Sequence, residues 1–249
     1  MRSETQDARW WGRPLAETRW ALEASRLLVD PVIVGQGVPR GDGRAVVLIP
    51  GFLAGDQTLL MLAGWLRSIG YRPQLCGFAF NVDCADRALE RVERTVVRLH
   101  ARQDRRVAVI GHSRGGHLAR AVAARRPELV SHAISLGADL QDLYGISAPT
   151  KGAVGAARKA LQASRRSPSP SCFRRGCSCG FMQAYRRPFP EAVRLTSIYS
   201  RGDGVVRWEC SVVPEADCIE VTGSHIGLIS NRKSYRAIAR ALASPEAGA

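Results

Sequence analysis

The stretch GHSRGG, residues 111–116, directly follows the apolar run RRVAVI, residues 105–110. The apolar run predicts a short buried strand, and the residues after GHSRGG have the spacing of a helix. A serine between glycines at such a junction matches the G-x-S-x-G pattern of a nucleophile elbow, in which the backbone turns sharply and small residues are needed on both sides. Gly111 and Gly115 occupy those positions. The context therefore favours Ser113 as a nucleophile over an ordinary turn residue.

Outward from the elbow, short apolar runs alternate with helical patterns over most of the chain. Such alternation predicts an α/β fold, with a mostly parallel central sheet and helices on both faces. The predicted strands are residues 45–50, part of 71–80, 105–110, 129–137, 194–200 and 217–223. The predicted helices are residues 17–29, 57–70, 85–103, 115–127 and 233–243. The 249 residues are enough for one sizeable domain, so we expect residues 1–249 to form a single domain.

Residues 138–193 interrupt the alternation and predict an inserted cap or lid. Residues 152–164 have a helical composition, whereas residues 165–180 are rich in Pro, Ser, Gly and Cys. Between Asp142 and Glu191 there are nine basic residues and no acid. Two interpretations stay open: a solvated basic insertion, or a cationic lid that contacts an anionic lipid surface.

A serine nucleophile needs a base, and His225 is the best of the five histidines. It lies in VTGSHIGL, just after a predicted strand, where it can reach the carboxyl ends of the strands beside the elbow. His100 and His117 fall within predicted helices and His132 within an apolar strand pattern, so we expect packing or surface roles for them. His112 adjoins Ser113 but is poorly placed to face its neighbour's hydroxyl.

The third member of a triad is a carboxylate that orients the histidine, and Asp203 fits this role. It follows a predicted strand in SIYSRGDGVV, although Gly-Asp-Gly is also ordinary turn chemistry. The chain order Ser113, Asp203, His225 is the order expected with a nucleophile elbow of this kind. Asp139 and Asp142, after the preceding strand, are the rival acids.

Backbone N–H groups aimed at the reacting carbonyl oxygen would complete the site as an oxyanion hole. The N–H of Arg114, directly after the nucleophile, is one candidate donor. The loop in VVLIPGFLAGD supplies the other, with Phe52 preferred and Leu53 as a near alternative.

The formal net charge is +14, and all but three of the 36 basic residues are arginine. This bias is explained either by a GC-rich genome or by an anionic partner. The sequence has no zinc-finger, RNP or basic-region pattern, which argues against a nucleic-acid partner. The first residues are polar and charged, and no run of 18 apolar residues occurs, so we expect a cytoplasmic protein that is at most peripheral to a membrane.

Seven cysteines are present, an odd number, and free thiols are the default expectation. The spacing of Cys172, Cys177 and Cys179 is not one of the usual zinc patterns, so no metal is expected. Cys210 and Cys218 flank a short loop and are candidates for a disulfide under oxidation.

Taken together, VVLIPGFLAGD, GHSRGG, TSIYSRGDGVV and GSHIGL resemble α/β-hydrolases of the bacterial lipase and esterase kind. The resemblance spans residues 45–230 and implies a cofactor-free hydrolase of small-molecule or lipid esters. It also implies Ser113 as nucleophile, Asp203 as acid, His225 as base, and Phe52 and Arg114 as oxyanion donors. Pro50 departs from the histidine that many relatives carry before the oxyanion-loop glycine. The alternatives are an acyltransferase or thioesterase using the same triad, and a non-catalytic scaffold that binds lipid or a partner protein.

Overall fold

The centre of the molecule is a sheet of six parallel strands, seen in a computed structural model that describes residues 14–141, 143–163 and 177–247. The strands are β1 (Ala45–Ile49), β2 (Arg72–Leu75), β3 (Val107–His112), β4 (Val130–Leu136), β5 (Arg194–Tyr199) and β6 (Asp217–Glu220). Their order is β2-β1-β3-β4-β5-β6, and every neighbouring pair is parallel. The carboxyl ends of all six strands therefore meet at one edge of the sheet.

Helices cover both faces of the sheet. They are α1 (Trp20–Leu28), α2 (Leu60–Ser68), α3 (Ala85–Gln103), α4 (Arg114–Arg125), α5 (Ala148–Ala163), α6 (Gly180–Arg186) and α7 (Arg232–Ala243). Short 3₁₀ helices lie at Pro14–Arg19, Pro31–Val34, Asp56–Leu59, Trp208–Ser211 and Ile226–Ser230. The prediction of an α/β fold with a parallel sheet and helices on both faces is confirmed.

Side chains alternate along each strand between two hydrophobic cores. In β1, Val47 packs with α3 and α4, whereas Val46 and Leu48 pack on the other face with α1, α2 and α7. All five β1 residues are buried, which explains the continuous apolar run in the sequence. The sheet is thus a rigid support for the loops at its carboxyl edge.

Several element boundaries differ from the predictions. The helices expected at 17–29 and 57–70 each begin with a 3₁₀ turn, and the strand expected at 217–223 ends at Glu220. Val97, an apolar residue of α3, is 39% exposed because it lies about 100° around the helix from buried Val96.

The connection between β4 and β5 divides into parts with different surroundings. The apolar side chains of α6 are buried against α3 and α4. Tyr185 donates from its hydroxyl to the Asp139 carbonyl oxygen at 2.9 Å. Helix α6 is therefore part of the hydrophobic core. A cap over 138–193 stays a prediction. The residues outside the described ranges include Asp142 and the segment 164–176, which contains Cys172 and most of the Arg-rich stretch.

Cys76 and Cys218 are free thiols, so neither a Cys76–Cys84 nor a Cys210–Cys218 bridge is formed. Within the described ranges, no helix combines the length and apolarity that a bilayer-spanning segment needs.

Candidate active site

Ser113 lies at the sharp turn between β3 and α4. Its backbone has φ +52° and ψ −121°, a conformation that residues with a Cβ rarely adopt. A Cβ on Gly111 would lie 2.0 Å from the Gly115 carbonyl oxygen, and one on Gly115 would lie 2.2 Å from the Ile49 carbonyl oxygen. Glycine is therefore required at both positions for steric reasons, and the predicted strand–turn–helix context is present.

Asp203 and His225 meet at the carboxyl edge of the sheet. The Nδ1–H of His225 donates to Oδ2 of Asp203 at 2.7 Å, and the two side chains are 6% and 2% exposed. The other oxygen of Asp203 accepts the backbone N–H groups of Val205 and Val206, both at 2.8 Å. These bonds fix the carboxylate in orientation, so Asp203 is more than a turn residue.

The surroundings of His225 favour its protonated form. Burial opposes a charge on the ring, but the charge and hydrogen bond of Asp203, helped by the charge of Glu17, outweigh it and raise the pKa of His225. An imidazolium that forms during a reaction is therefore stabilised here.

The rival acid Asp139 does not receive the Nδ1 hydrogen, because His225 donates it to Asp203. The carboxylate of Asp139 instead accepts the backbone N–H groups of Gln141 and Gly145 and holds the loop after β4. Asp142, the other rival, lies outside the described residues.

The four remaining histidines have other surroundings. His132 is buried between the Arg44 guanidinium and the Ser244 carbonyl oxygen, and Nδ1 of His100 lies 3.0 Å from the Arg105 carbonyl oxygen. His117 packs edge-on against Tyr185.

His112 connects the elbow to the loop that carries His225, a contact that the sequence did not predict. Its Nε2–H donates to the His225 carbonyl oxygen at 2.9 Å, and the two ring centroids are 4.8 Å apart. Burial and the charge of His225 lower the pKa of His112 to about 3, so its ring is neutral. The residue before Ser113 thus links the elbow to the loop that carries His225.

The loop after β1 comes very close to Ser113. A Cβ on Gly51 would lie 3.3 Å from the Cβ of Ser113 and 3.0 Å from Nδ1 of His112. Phe52, Ser113 and Arg114 line the same cavity. The N–H of Leu53, the alternative oxyanion donor, instead donates to the Asn81 carbonyl oxygen at 3.4 Å.

Comparisons with known proteins agree with this architecture. A family model described as the alpha/beta hydrolase fold matches residues 73–154. Among solved structures, the monoacylglycerol lipase of Paleococcus ferrophilus is 14% identical with a TM-score of 0.55, covering 82% of this chain and 96% of that one. The mature lipase BlEst2 of Bacillus licheniformis is 13% identical with a TM-score of 0.58, covering 83% and 94%. The chain has the α/β-hydrolase fold.

A thioesterase domain from the curacin biosynthetic pathway is also similar to this chain, at 17% identity and a TM-score of 0.54, covering 80% of this chain and 90% of that one. No curated protein matches the chain by sequence. At these identities the structural likeness shows the fold, and the predicted resemblance to the α/β-hydrolase superfamily is confirmed at that level.

Asn81 and Arg114 hold the two loops that flank Ser113. The amide Nδ2 of buried Asn81 donates to the Pro50 carbonyl oxygen at 2.8 Å, which anchors the loop containing Phe52. The guanidinium of Arg114 donates to the carbonyl oxygens of Asn81 and Asp83. The sequence predicted a role for the backbone N–H of Arg114, whereas the structure shows that its side chain anchors the loop after β2.

Gly137, at the end of β4, makes room for the acid–histidine pair. Its φ is +60°, and a Cβ there would lie 3.1 Å from Oδ2 of Asp203 and 3.2 Å from Nδ1 of His225. A glycine as the last residue of the predicted strand 129–137 was the available signal, but its spatial neighbours were not evident from the sequence.

A cavity of about 130 Å³ opens beside Ser113. Most of its wall is apolar and comes from α4, α5, α6 and the loops after β4 and β5. The apolar lining includes Leu118, Ile146, Val154, Phe181, Met182 and Val206. Among the described residues, no group of three or more His, Cys, Asp or Glu side chains is arranged to hold a metal ion.

Proposed function

We propose that the protein is a serine hydrolase that cleaves carboxylic esters with an apolar acyl group, such as acyl lipids. The observation that carries this proposal is the buried 2.7 Å hydrogen bond between His225 and Asp203, in a loop that is bonded to His112, the residue before a serine on a strained elbow. A strained φ at a serine and a buried, hydrogen-bonded acid–histidine pair are features that cluster at functional sites.

In the proposed first step, Oγ of Ser113 attacks the ester carbonyl carbon while Nε2 of His225 takes the hydroxyl proton. The C–O bond to the alcohol then breaks, and His225 returns the proton to the leaving oxygen. Water then attacks the acyl carbon of the acyl-enzyme while His225 takes one of its protons. The bond between that carbon and Oγ of Ser113 breaks, His225 returns the proton to Oγ, and the acid is released. Asp203 stays ionised and stabilises the imidazolium through both half-reactions.

The developing oxyanion would be bound by the backbone N–H groups of Phe52 and Arg114. Support comes from the close approach of Gly51 to Ser113 and from the internal hydrogen bond of Leu53, which leaves Phe52 as the preferred donor. Loss of one such donor typically raises the barrier by about 2.7–4 kcal/mol.

The apolar cavity supports an acyl chain as the group bound beside Ser113. Burial of each methylene contributes about 0.8 kcal/mol, so a longer chain that still fits should bind more tightly. A series of p-nitrophenyl esters from acetate to decanoate tests this point. We expect kcat/KM to rise with chain length, and a maximum at acetate would contradict the assignment of an apolar acyl group.

A thioester substrate or a different acyl acceptor would use the same nucleophile and base. The proposed hydrolysis is distinguished from these alternatives by product analysis: free acid should dominate over transfer product when competing alcohols or thiols are present. A scaffold without activity would not require the fixed Asp203–His225 pair.

Contact with an anionic lipid surface is proposed as an additional property. Lys159, Arg186 and Arg187 are exposed on or beside α5 and α6, in the stretch that lacks acids. Co-sedimentation with phosphatidylglycerol vesicles should fall steeply as salt is raised, because surface charges are screened.

A fluorophosphonate probe tests the nucleophile directly. We expect it to label the folded protein at Ser113 and to label Ser25→Ala, a change at an exposed serine of α1, equally well. Ser113→Ala should abolish labelling. A folded wild-type protein that is not labelled, or equal labelling of Ser113→Ala, would rule out Ser113 as the nucleophile.

A further inference from the structure

The segment formed by the 3₁₀ helix Pro14–Arg19 and α1 lies against the loop that carries His225. Glu17 extends its carboxylate into that loop. Its Oε1 accepts the backbone N–H groups of Gly204 at 2.9 Å and His225 at 3.0 Å, and its Oε2 accepts that of Ile226 at 2.8 Å. One side chain therefore binds backbone on both sides of the Asp203–His225 pair.

Glu23, six residues later, holds the same loop from the adjacent position. Its carboxylate accepts the backbone N–H of Ser224 at 2.9 Å and the Ser224 hydroxyl at 2.8 Å. A Cβ on Gly227 would lie 1.5 Å from Oε2 of Glu23, so glycine is needed there for the carboxylate to enter. Three consecutive N–H groups, those of residues 224–226, are thus bound by two carboxylates of one segment.

We propose that Glu17 is a positioning residue of the active site, which ties the loop of the acid to the loop of the base. The inference rests on the proposed function for its catalytic consequence, but the link itself is structural. Gly204 directly follows Asp203, so the hydrogen bonds of Glu17 constrain both partners of the 2.7 Å contact.

The charge of Glu17 acts in the same direction as that of Asp203. Three ionisable groups face the His225 ring: Asp203 through Nδ1, Glu17 from the N-terminal segment, and His112 from the end of β3. His112 is neutral and adds no charge. Glu23 is neutralised in part by Arg19, whose guanidinium lies 3.8 Å from it. Removal of the Glu17 charge should therefore lower the pKa of His225.

The variant Glu17→Gln keeps the shape of the side chain but removes its charge and replaces one acceptor oxygen with an NH₂ donor. Glu17→Asp keeps the charge but shortens the reach. Glu128→Gln is the matched control, because Glu128 is an exposed carboxylate at the end of α4 that pairs with Arg126. Thermal unfolding identifies the variants that are folded.

Two readouts separate this inference from the proposed function. The first is the NMR titration of the His225 ring, assigned with His225→Asn, which needs no catalysis. The second is the pH profile of p-nitrophenyl butyrate hydrolysis. For Glu17→Gln we expect the His225 titration and the acid limb of kcat/KM to shift to lower pH, and the plateau kcat to fall about 10- to 100-fold through misplacement.

For Glu17→Asp we expect a His225 titration midpoint near that of wild type and a lowered plateau kcat. An unchanged His225 titration in folded Glu17→Gln would overturn the inference, whatever the activity. If Glu17→Gln does not fold, loss of the wild-type titration position in Glu17→Asp would overturn it instead. A shifted titration in a protein that no fluorophosphonate labels would support Glu17 and contradict the proposed hydrolase function.

Discussion

The guanidinium of Arg114 donates to the Asn81 carbonyl oxygen at 3.1 Å, so the residue after the proposed nucleophile holds the loop that faces it. Asn81 in turn anchors the Pro50 carbonyl oxygen through its side chain. This chain of hydrogen bonds connects the two backbone segments proposed to bind the oxyanion. Their separation is therefore set by side chains outside the triad.

Asn81→Ala should loosen the loop that carries Phe52. Since the anchor to Pro50 is lost while the cavity is intact, we expect kcat to fall roughly 10- to 100-fold with a small change in KM. Steady-state kinetics on a p-nitrophenyl ester provide the measurement. A raised KM with unchanged kcat would show that Asn81 serves substrate binding instead.

Gly137→Ala should disturb the acid–histidine pair. The added methyl group would lie 2.7 Å from Cδ1 of Leu228 and close to both Asp203 and His225, at a positive φ that alanine adopts with strain. We expect destabilisation of about 1–3 kcal/mol and a large loss of activity. Chemical denaturation and ester hydrolysis measure the two effects. Gly152→Ala is the control, because a Cβ there meets no atom within 4 Å. Full activity of Gly137→Ala would contradict the steric account.

Asp203→Asn should remove the charge that orients and stabilises His225. A triad that loses this carboxylate typically loses kcat by a factor on the order of 10⁴. Asp139→Asn is the informative comparison, because Asp139 binds loop backbone and not His225. We expect this variant to be less stable but to keep fluorophosphonate reactivity per folded molecule. The reverse pattern would identify Asp139 as the acid.

The pH dependence of activity should report the raised pKa of His225. The base acts in its neutral form, which predominates above the pKa, so kcat/KM should rise with pH through a midpoint above the ordinary histidine value of about 6.5. Measurement between pH 5 and 9 on a neutral ester tests this. A midpoint below the ordinary value would show that burial outweighs Asp203 and Glu17.

The pH dependence of stability should report His132. Burial and the charge of Arg44 lower its pKa to about 4, whereas the unfolded chain binds the proton near pH 6.5. The unfolded state therefore binds more protons between these values, and stability falls as pH decreases through that window, by up to roughly 1.4 kcal/mol per pH unit. Urea denaturation of His132→Gln, compared with wild type from pH 7.5 to 4.5, should show a shallower decline. Parallel curves would contradict the prediction.

Local pattern in the sequence was sufficient for much of the architecture. The strand runs, the elbow and the loops that carry Asp203 and His225 were predictable because each depends on residues close together in the chain. The residues that hold these loops in place were not predictable from local pattern. Glu17 binds the N–H of a residue 209 positions away, and nothing in the pattern around Glu17 marks it as different from other helical acids.

The same limit applied to Gly137, His112 and Asn81, whose roles depend on which loops the sheet order brings together. The segment 138–193 read as one insertion by composition. Its α6, however, carries Phe181 and Tyr185 into the hydrophobic core. The sequence did not separate α6 from the insertion, because these residues follow the Cys-rich stretch without a break in the pattern.

The order of the strands also predicts the order in which activity and secondary structure are lost on heating. Ser113 follows β3, which is paired on both sides, whereas His225 follows β6, the four-residue strand at the edge of the sheet. Edge elements open at lower free energy than central ones. The loop of the proposed base, His225, should therefore unfold while the central strands that support Ser113 are still folded. Inactivation should precede the loss of the circular dichroism signal, and cooling should restore both.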